Sequence, residues 1–136
     1  MPSGKIHDKI TLATCLPIGV MAWYFYDLEI GLVVFNSYLF SGLMFNGDLD
    51  LDSDVYKRWG PLRILWWPYK KTVPHRSVIS HGPVVGTVMR LIWLALLFSP
   101  LIYYIDIKTM NIEYIIACVI GLEMGAMSHT VADYFF

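Results

Sequence analysis

The sequence predicts an all-α chain: a four-helix transmembrane bundle with a long polar loop between helices two and three. Three observations carry this expectation. Of the 136 residues, 57% are apolar or aromatic and only 15% are charged, whereas a soluble domain carries about 25% charge. The charges fall in blocks, which leaves four apolar runs longer than ordinary strands. None of the runs alternates apolar with polar residues as a half-buried strand does. The same composition excludes disorder, which needs low hydrophobicity and high net charge. A net charge of -1 argues against nucleic acid as a partner. The length suits a single domain, 1–136.

The first helix is expected at about 10–26, after Lys5, Asp8 and Lys9, and it closes on Trp23, Tyr24 and Tyr26. Such aromatics favour a membrane–water boundary. Asp27-Leu28-Glu29 makes a tight turn into the second helix, about 30–45. At 1.5 Å per residue these two reach about 24–26 Å, the short end for a hydrocarbon core of about 30 Å. The third helix is expected at about 84–105, interrupted by Arg90 and Pro100 and closed by Tyr103 and Tyr104. A short turn leads to the fourth, about 112–134, which contains Glu123, His129 and Asp133. Arg90 and Glu123 are expected to pair, since charges inside a membrane segment usually find one another. Cys15 and Cys118 sit in apolar runs and read as small hydrophobes. The N-terminus lacks the cleavage pattern of a signal peptide.

The connection 46–82 is long and polar, and a loop of that length in a compact chain is usually functional. Its tryptophans and bases between 59 and 69 suit a membrane interface. If all four helices cross, both termini and this loop share one face. That face holds Lys5, Lys9, Lys57, Arg58, Arg63, Lys70, Lys71 and Arg76, against Lys108 alone on the other. The positive-inside bias makes the first face cytoplasmic, in a multi-pass protein of the inner or plasma membrane.

All four histidines, His7, His75, His81 and His129, fall on that face, beside Asp48, Asp50 and Asp133. His129 and Asp133 are four apart and share a helix face. Each piece alone has a bland reading: a local pair, an acidic loop, a turn leading into Ser80 as a helix cap. The acidic stretch is not an EF-hand, since Ser53 and Trp59 stand where Gly and Glu are needed. Together the imidazoles and carboxylates point to a divalent metal: Zn²⁺, Mn²⁺, Fe²⁺ or Ni²⁺. More than four candidates allow one ion with supporting residues, or two ions. A metal-activated water would then serve hydrolysis, and Arg76 would hold an anionic substrate. No nucleophilic Ser or Cys motif, phosphate-cradling loop or dinucleotide fingerprint is present.

The order His7, Asp48-Leu49-Asp50 after an apolar hairpin, His75-Arg76-Ser77-Val78-Ile79-Ser80-His81, then His129 and Asp133 resembles the bacterial membrane-bound metal-dependent hydrolases, which are likened to zinc phospholipase C and P1 nuclease. The opening Met1-Pro2-Ser3-Gly4-Lys5-Ile6-His7-Asp8, with Phe45-Asn46-Gly47-Asp48 and Ser80-His81-Gly82-Pro83, is more similar to a sister family known only as metal-binding proteins. Gly47 departs from the hydrolase group, which often has Pro there. The resemblance implies metal ligation by His7, Asp48, Asp50, His75, His81, His129 and Asp133. On this view His7, Asp48, His81 and His129 form the core. Asp50, His75 and Asp133 complete a second site or orient the first. The implied partners are the lipid bilayer and a small ester or phosphoester. The competing readings are a non-catalytic metal-binding or scaffolding membrane protein, and a soluble helical bundle with structural histidines.

Overall fold

A computed structural model describes residues 4–105 and 109–135; Asp106, Lys108 and Phe136 lie outside the described residues. Among these residues the chain is all-helical, with no strand. Helix α1 (Gly4–Phe25) starts well before position 10. Its polar first turn hides a seam: His7, Thr11, Cys15 and Gly19 are buried at spacing four, one face of a helix. The adjoining stripe of Leu12, Leu16 and Val20, about 100° around the helix, is exposed. Helix α2 (Leu28–Met44) begins at Asp27, whose carboxylate accepts from the Ile30 N–H at 2.8 Å. Helix α8 (Ile112–Phe135) is the last.

Helix α2 lies between α1 and α8 and packs on both through small residues. A Cβ on Gly42 would run into Thr11 of α1, and one on Gly125 would meet the Tyr38 carbonyl and Ser41 of α2. Backbones this close pack by van der Waals contact and by side-chain hydrogen bonds between helices. Tyr38 and Thr14 share such a bond at 2.6 Å, and Ser41 donates to the Leu122 carbonyl.

The stretch 46–82 is not a loop. It folds into a 3-10 turn (Gly47–Asp50), α3 (Asp54–Arg58), a 3-10 stretch (Gly60–Trp66), α4 (Trp67–Thr72) and α5 (Val78–His81). Pro61 and Pro68 stand in first turns, where a missing N–H costs nothing. Trp66 and Tyr69 bury themselves with Phe45, Leu49, Val55, Tyr56 and Leu122. That aromatic core turns a polar-looking segment into a packed layer.

The expected helix 84–105 is also corrected. It breaks into α6 (Val85–Leu97) and α7 (Ser99–Ile102), with Pro100 in the first turn of α7. Pro100 has no N–H to give the Leu96 carbonyl and its ring crowds that carbonyl, which accepts from the Ser99 hydroxyl at 3.0 Å instead. The 13 residues of α6 extend about 20 Å, too short for a hydrocarbon core of about 30 Å. Two described helical stretches are long and apolar enough to cross a membrane: α2 with the 3-10 turn that follows it, Leu28–Asp50, and α8, Ile112–Phe135. Buried core helices of soluble proteins share that property.

The expected Arg90–Glu123 pair does not form. Arg90, 1% exposed, donates to the Ser80 carbonyl at 2.8 Å and to Thr87 Oγ1 at 3.1 Å, and lies over the Phe45 ring. Glu123 instead accepts from the Val84 N–H at 2.8 Å, at the start of α6. Val84 has φ +63°, a region that β-branched residues rarely enter.

Candidate metal centre

Four parts of the chain deliver the candidate ligands to one end of the α1–α2–α8 core. The first turns of α1 bring His7. The 3-10 turn after α2 brings Asp48 and Asp50. Asn46 sets that turn: its amide donates to the Gly42 carbonyl at 2.8 Å and its oxygen accepts from the Asp48 N–H at 3.1 Å. Helix α5, capped by Ser77, ends on His81. Helix α8 carries His129 and Asp133 one turn apart.

Asp48 Oδ1 lies 3.3 Å from His129 Nε2 and 3.7 Å from His81 Nε2. Asp133 Oδ2 lies 3.6 Å from His129 Nε2 and 3.9 Å from His81 Nε2. All four residues place a donor atom within 4.8 Å of the others. Each of these four atoms is buried and lacks a hydrogen-bond partner. Buried polar atoms without partners are costly, and each needs a reason. The spacing supplies one: a tetrahedron with bonds of about 2.0–2.2 Å has edges of about 3.3–3.6 Å. Two imidazole nitrogens and two carboxylate oxygens at these separations fit a divalent cation.

His81 sits among three carboxylates, with Asp48 and Asp133 on its Nε2 side and Asp50 on its Nδ1 side. Its Nδ1 meets Ser80 Oγ at 2.9 Å and lies 3.8 Å from Asp50 Oδ2. Asp50 Oδ1 bonds His75 Nδ1 at 2.8 Å. Asp50, His75 and His81 thus form a second group with metal-ligand spacing. His7 is beside the first group: its Nε2 is 3.2 Å from Asp133 Oδ1, the oxygen turned away from His81 and His129. Its ring lies 4.1 Å from that of His129. Arg76 is exposed, has φ +57°, and makes no ion pair or hydrogen bond among the described residues.

A cavity of about 240 Å³ reaches His7, Asp48 and His129 from a rim of Asp8, Asp52, Asp54 and Arg58. Arg58 grips Asp8 with both terminal nitrogens, one at 2.9 Å, and also donates to the Leu43 carbonyl. Lys70, hydrogen-bonded at 2.7 Å, holds the Asp52 carboxyl below its ordinary value.

Several supporting residues escaped the sequence reading. Ser80 fixes His81 Nδ1, and Arg90 in turn holds the Ser80 carbonyl. Arg58, not Arg76, lines the cavity. Gly47 is the one with a visible signal, since it stands directly before Asp48 in the sequence. A Cβ there would come 2.7 Å from His81 Nε2, so the imidazole needs that missing side chain.

These features define a helical metal-binding protein, in which buried donors from distant parts of the chain converge on one point. The chain belongs to the family described as "Uncharacterized metal-binding protein (DUF2227)", whose family model matches residues 2–112. The match includes His7, Asp48, Asp50, His75 and His81; His129 and Asp133 lie beyond it on α8. No curated protein and no solved structure matches the chain.

Proposed function

We propose that the chain is a multi-pass protein of the inner or plasma membrane. It holds a divalent ion at its cytoplasmic end and hydrolyses an ester or phosphoester, a lipid being one candidate. The observation that carries the metal part is the set of four buried, unpartnered atoms: Asp48 Oδ1, His81 Nε2, His129 Nε2 and Asp133 Oδ2. Mixed nitrogen and oxygen ligation suits Zn²⁺, Mn²⁺, Fe²⁺ or Ni²⁺. In this reading His7 holds Asp133 from its far side. Ser80 and Asp50 orient His81, and His75 orients Asp50 or joins it around a second ion. A bound cation supplies Lewis acidity toward an ester or phosphoryl oxygen. The cavity offers a substrate access to His7, Asp48 and His129. Arg76, exposed and unpaired, is the free guanidinium beside His75 and would hold an anionic group.

The membrane part is supported by the outward faces. Leu12, Leu16 and Val20 on α1, Val88, Ile92 and Leu96 on α6, and Ile112, Ile116 and Val119 on α8 are all exposed. They recur at helical spacing, as a lipid-facing stripe does. One observation favours a non-catalytic metal-binding or scaffolding protein instead. Four protein donors already complete a tetrahedron, as structural sites do, while catalytic sites keep a position open.

Metal analysis of detergent-purified protein tests the core of the proposal. It is expected to find a stoichiometric divalent ion that is lost in His81→Ala, and its absence overturns the metal reading. Solubility without detergent overturns the membrane reading. A screen of lipid and phosphoester hydrolysis, with His81→Ala as the blank, separates the last two possibilities. Turnover supports the hydrolase, and metal without turnover favours the non-catalytic protein.

A further inference from the structure

The segment 57–71 contains Lys57, Arg58, Arg63, Lys70 and Lys71 and no acidic residue, within a chain whose net charge is -1. It is held firmly. Trp66 and Tyr69 are 0% and 2% exposed. The Trp93 indole bonds the Leu65 carbonyl at 3.0 Å, and the Trp59 indole bonds the Met44 carbonyl at 2.8 Å. Anchored in this way, the segment turns Leu62, Ile64 and Trp67 outward, at 56%, 71% and 48% exposure. Large apolar side chains held out by a packed core are not waiting to collapse inward; they need a partner surface.

The bases divide into two groups. Arg58 and Lys70 are paired with Asp8 and Asp52. Lys57, Arg63 and Lys71 have no carboxylate within ion-pair distance among the described residues. Lys71 Nζ sits 4.1 Å over the Trp67 ring, so a cation and an interfacial aromatic occupy one level. Unpaired cations interleaved with exposed Leu, Ile and Trp match a surface that is anionic outside and apolar within.

We infer that residues 57–71 form a docking surface for anionic lipid headgroups, with Lys57, Arg63 and Lys71 on the headgroups and Leu62, Ile64 and Trp67 among the acyl chains. This rests on the membrane reading proposed above. Charge complementarity selects anionic over zwitterionic lipid. The apolar side chains among the bases select lipid over nucleic acid, whose phosphates would leave them in water. The surface adjoins the rim of the cavity through Arg58 and the Lys70–Asp52 pair, so a lipid held here lies beside the candidate metal centre.

The test uses full-length protein reconstituted in phosphatidylcholine vesicles doped with either brominated phosphatidylglycerol or brominated phosphatidylcholine. The tryptophan quenching lost in Trp67→Phe reports the share due to Trp67. Brominated phosphatidylglycerol is expected to quench that share more strongly than brominated phosphatidylcholine. In Lys57→Gln/Arg63→Gln/Lys71→Gln, the preference should fall by on the order of 100-fold, since each surface base contributes separately to anionic attraction. Added salt should weaken it in the native chain. Circular dichroism checks that the triple variant is folded; if it is not, the three single substitutions take its place, each expected to lower the preference in part. Equal quenching of the Trp67 share by both lipids overturns the inference and leaves the membrane reading standing. So does an anionic preference that survives all three substitutions. A protein that stays in solution without detergent, with no tryptophan quenched by either lipid, overturns the membrane reading itself.

Discussion

The helices α1, α2 and α8 enclose a hollow at each end, and the two are opposites. At the end where α1 turns into α2, a cleft of about 540 Å³ is walled by Ile18, Met21, Ile30, Ile116 and Met124, with Asp27 and Glu113 at its edge. At the other end a cavity of about 240 Å³ is lined by His7, Asp8, Asp48, Asp54, Arg58 and His129. Between them, small residues close the α1–α2 and α2–α8 contacts. Among the described residues, the walls of the apolar end carry no buried side-chain nitrogen or oxygen without a partner. The polar end leaves buried nitrogens and oxygens unpartnered at cation spacing. A bundle of three helices can therefore be ordinary at one end and shaped for a cation at the other.

The contrast breaks most sharply with one substitution at each end. His81→Ala should weaken metal binding by more than about 100-fold, above the 10–100-fold typical of losing a supporting residue. Met124→Ala, in the apolar cleft, should leave it unchanged. Metal titration followed by calorimetry compares the two, and equal losses would remove the distinction between the ends. Gly125→Val tests the α2–α8 contact that lies between them. Its Cβ would meet the Tyr38 carbonyl and Ser41, at a cost of about 1–3 kcal/mol in thermal unfolding. Gly47→Ala acts on the polar end alone. By displacing the His81 ring, it should weaken metal binding about tenfold, while unfolding of the chelated protein stays close to the native value.

The smallest effect lies on the cavity rim. Lys70 lowers the Asp52 carboxyl, so this pair favours the folded state above the unfolded value of about 3.9. Its contribution is lost as pH falls through the lowered folded value. Lys70→Gln should move Asp52 back toward its ordinary value, as followed by carbon-detected NMR titration. An unchanged Asp52 titration would mean that the pair does not persist in solution.

The positions of α2 and α8 were legible because long apolar runs leave few alternatives to a helix. The start of α1 was not. Lys5, Asp8 and Lys9 mask a buried seam whose first member is His7, and a polar first turn reads as a tail. The layer 46–82 was misread for a similar reason. Its order comes from Trp66 and Tyr69 packing on Phe45 and Leu49, contacts between segments that no local period records. The break after α6 was half visible in Pro100.

At the site, the helix rule that pairs His129 with Asp133 worked, because it concerns a single helix. The Arg90–Glu123 expectation failed because depth along two helices does not set which faces meet. Ser80, Arg58 and Arg90 act through contacts that are distant in sequence or purely local in geometry, and neither kind leaves a periodic trace.

The four converging donors also impose an order of events on synthesis. Asp48 and His81 leave the ribosome well before His129 and Asp133, which ride on the last helix. Until α8 has docked on α2, half the candidate tetrahedron is missing, so a nascent chain has little hold on a cation. Metal uptake would therefore act as a late proof of assembly, available only to a molecule in which α8 has already docked on α2.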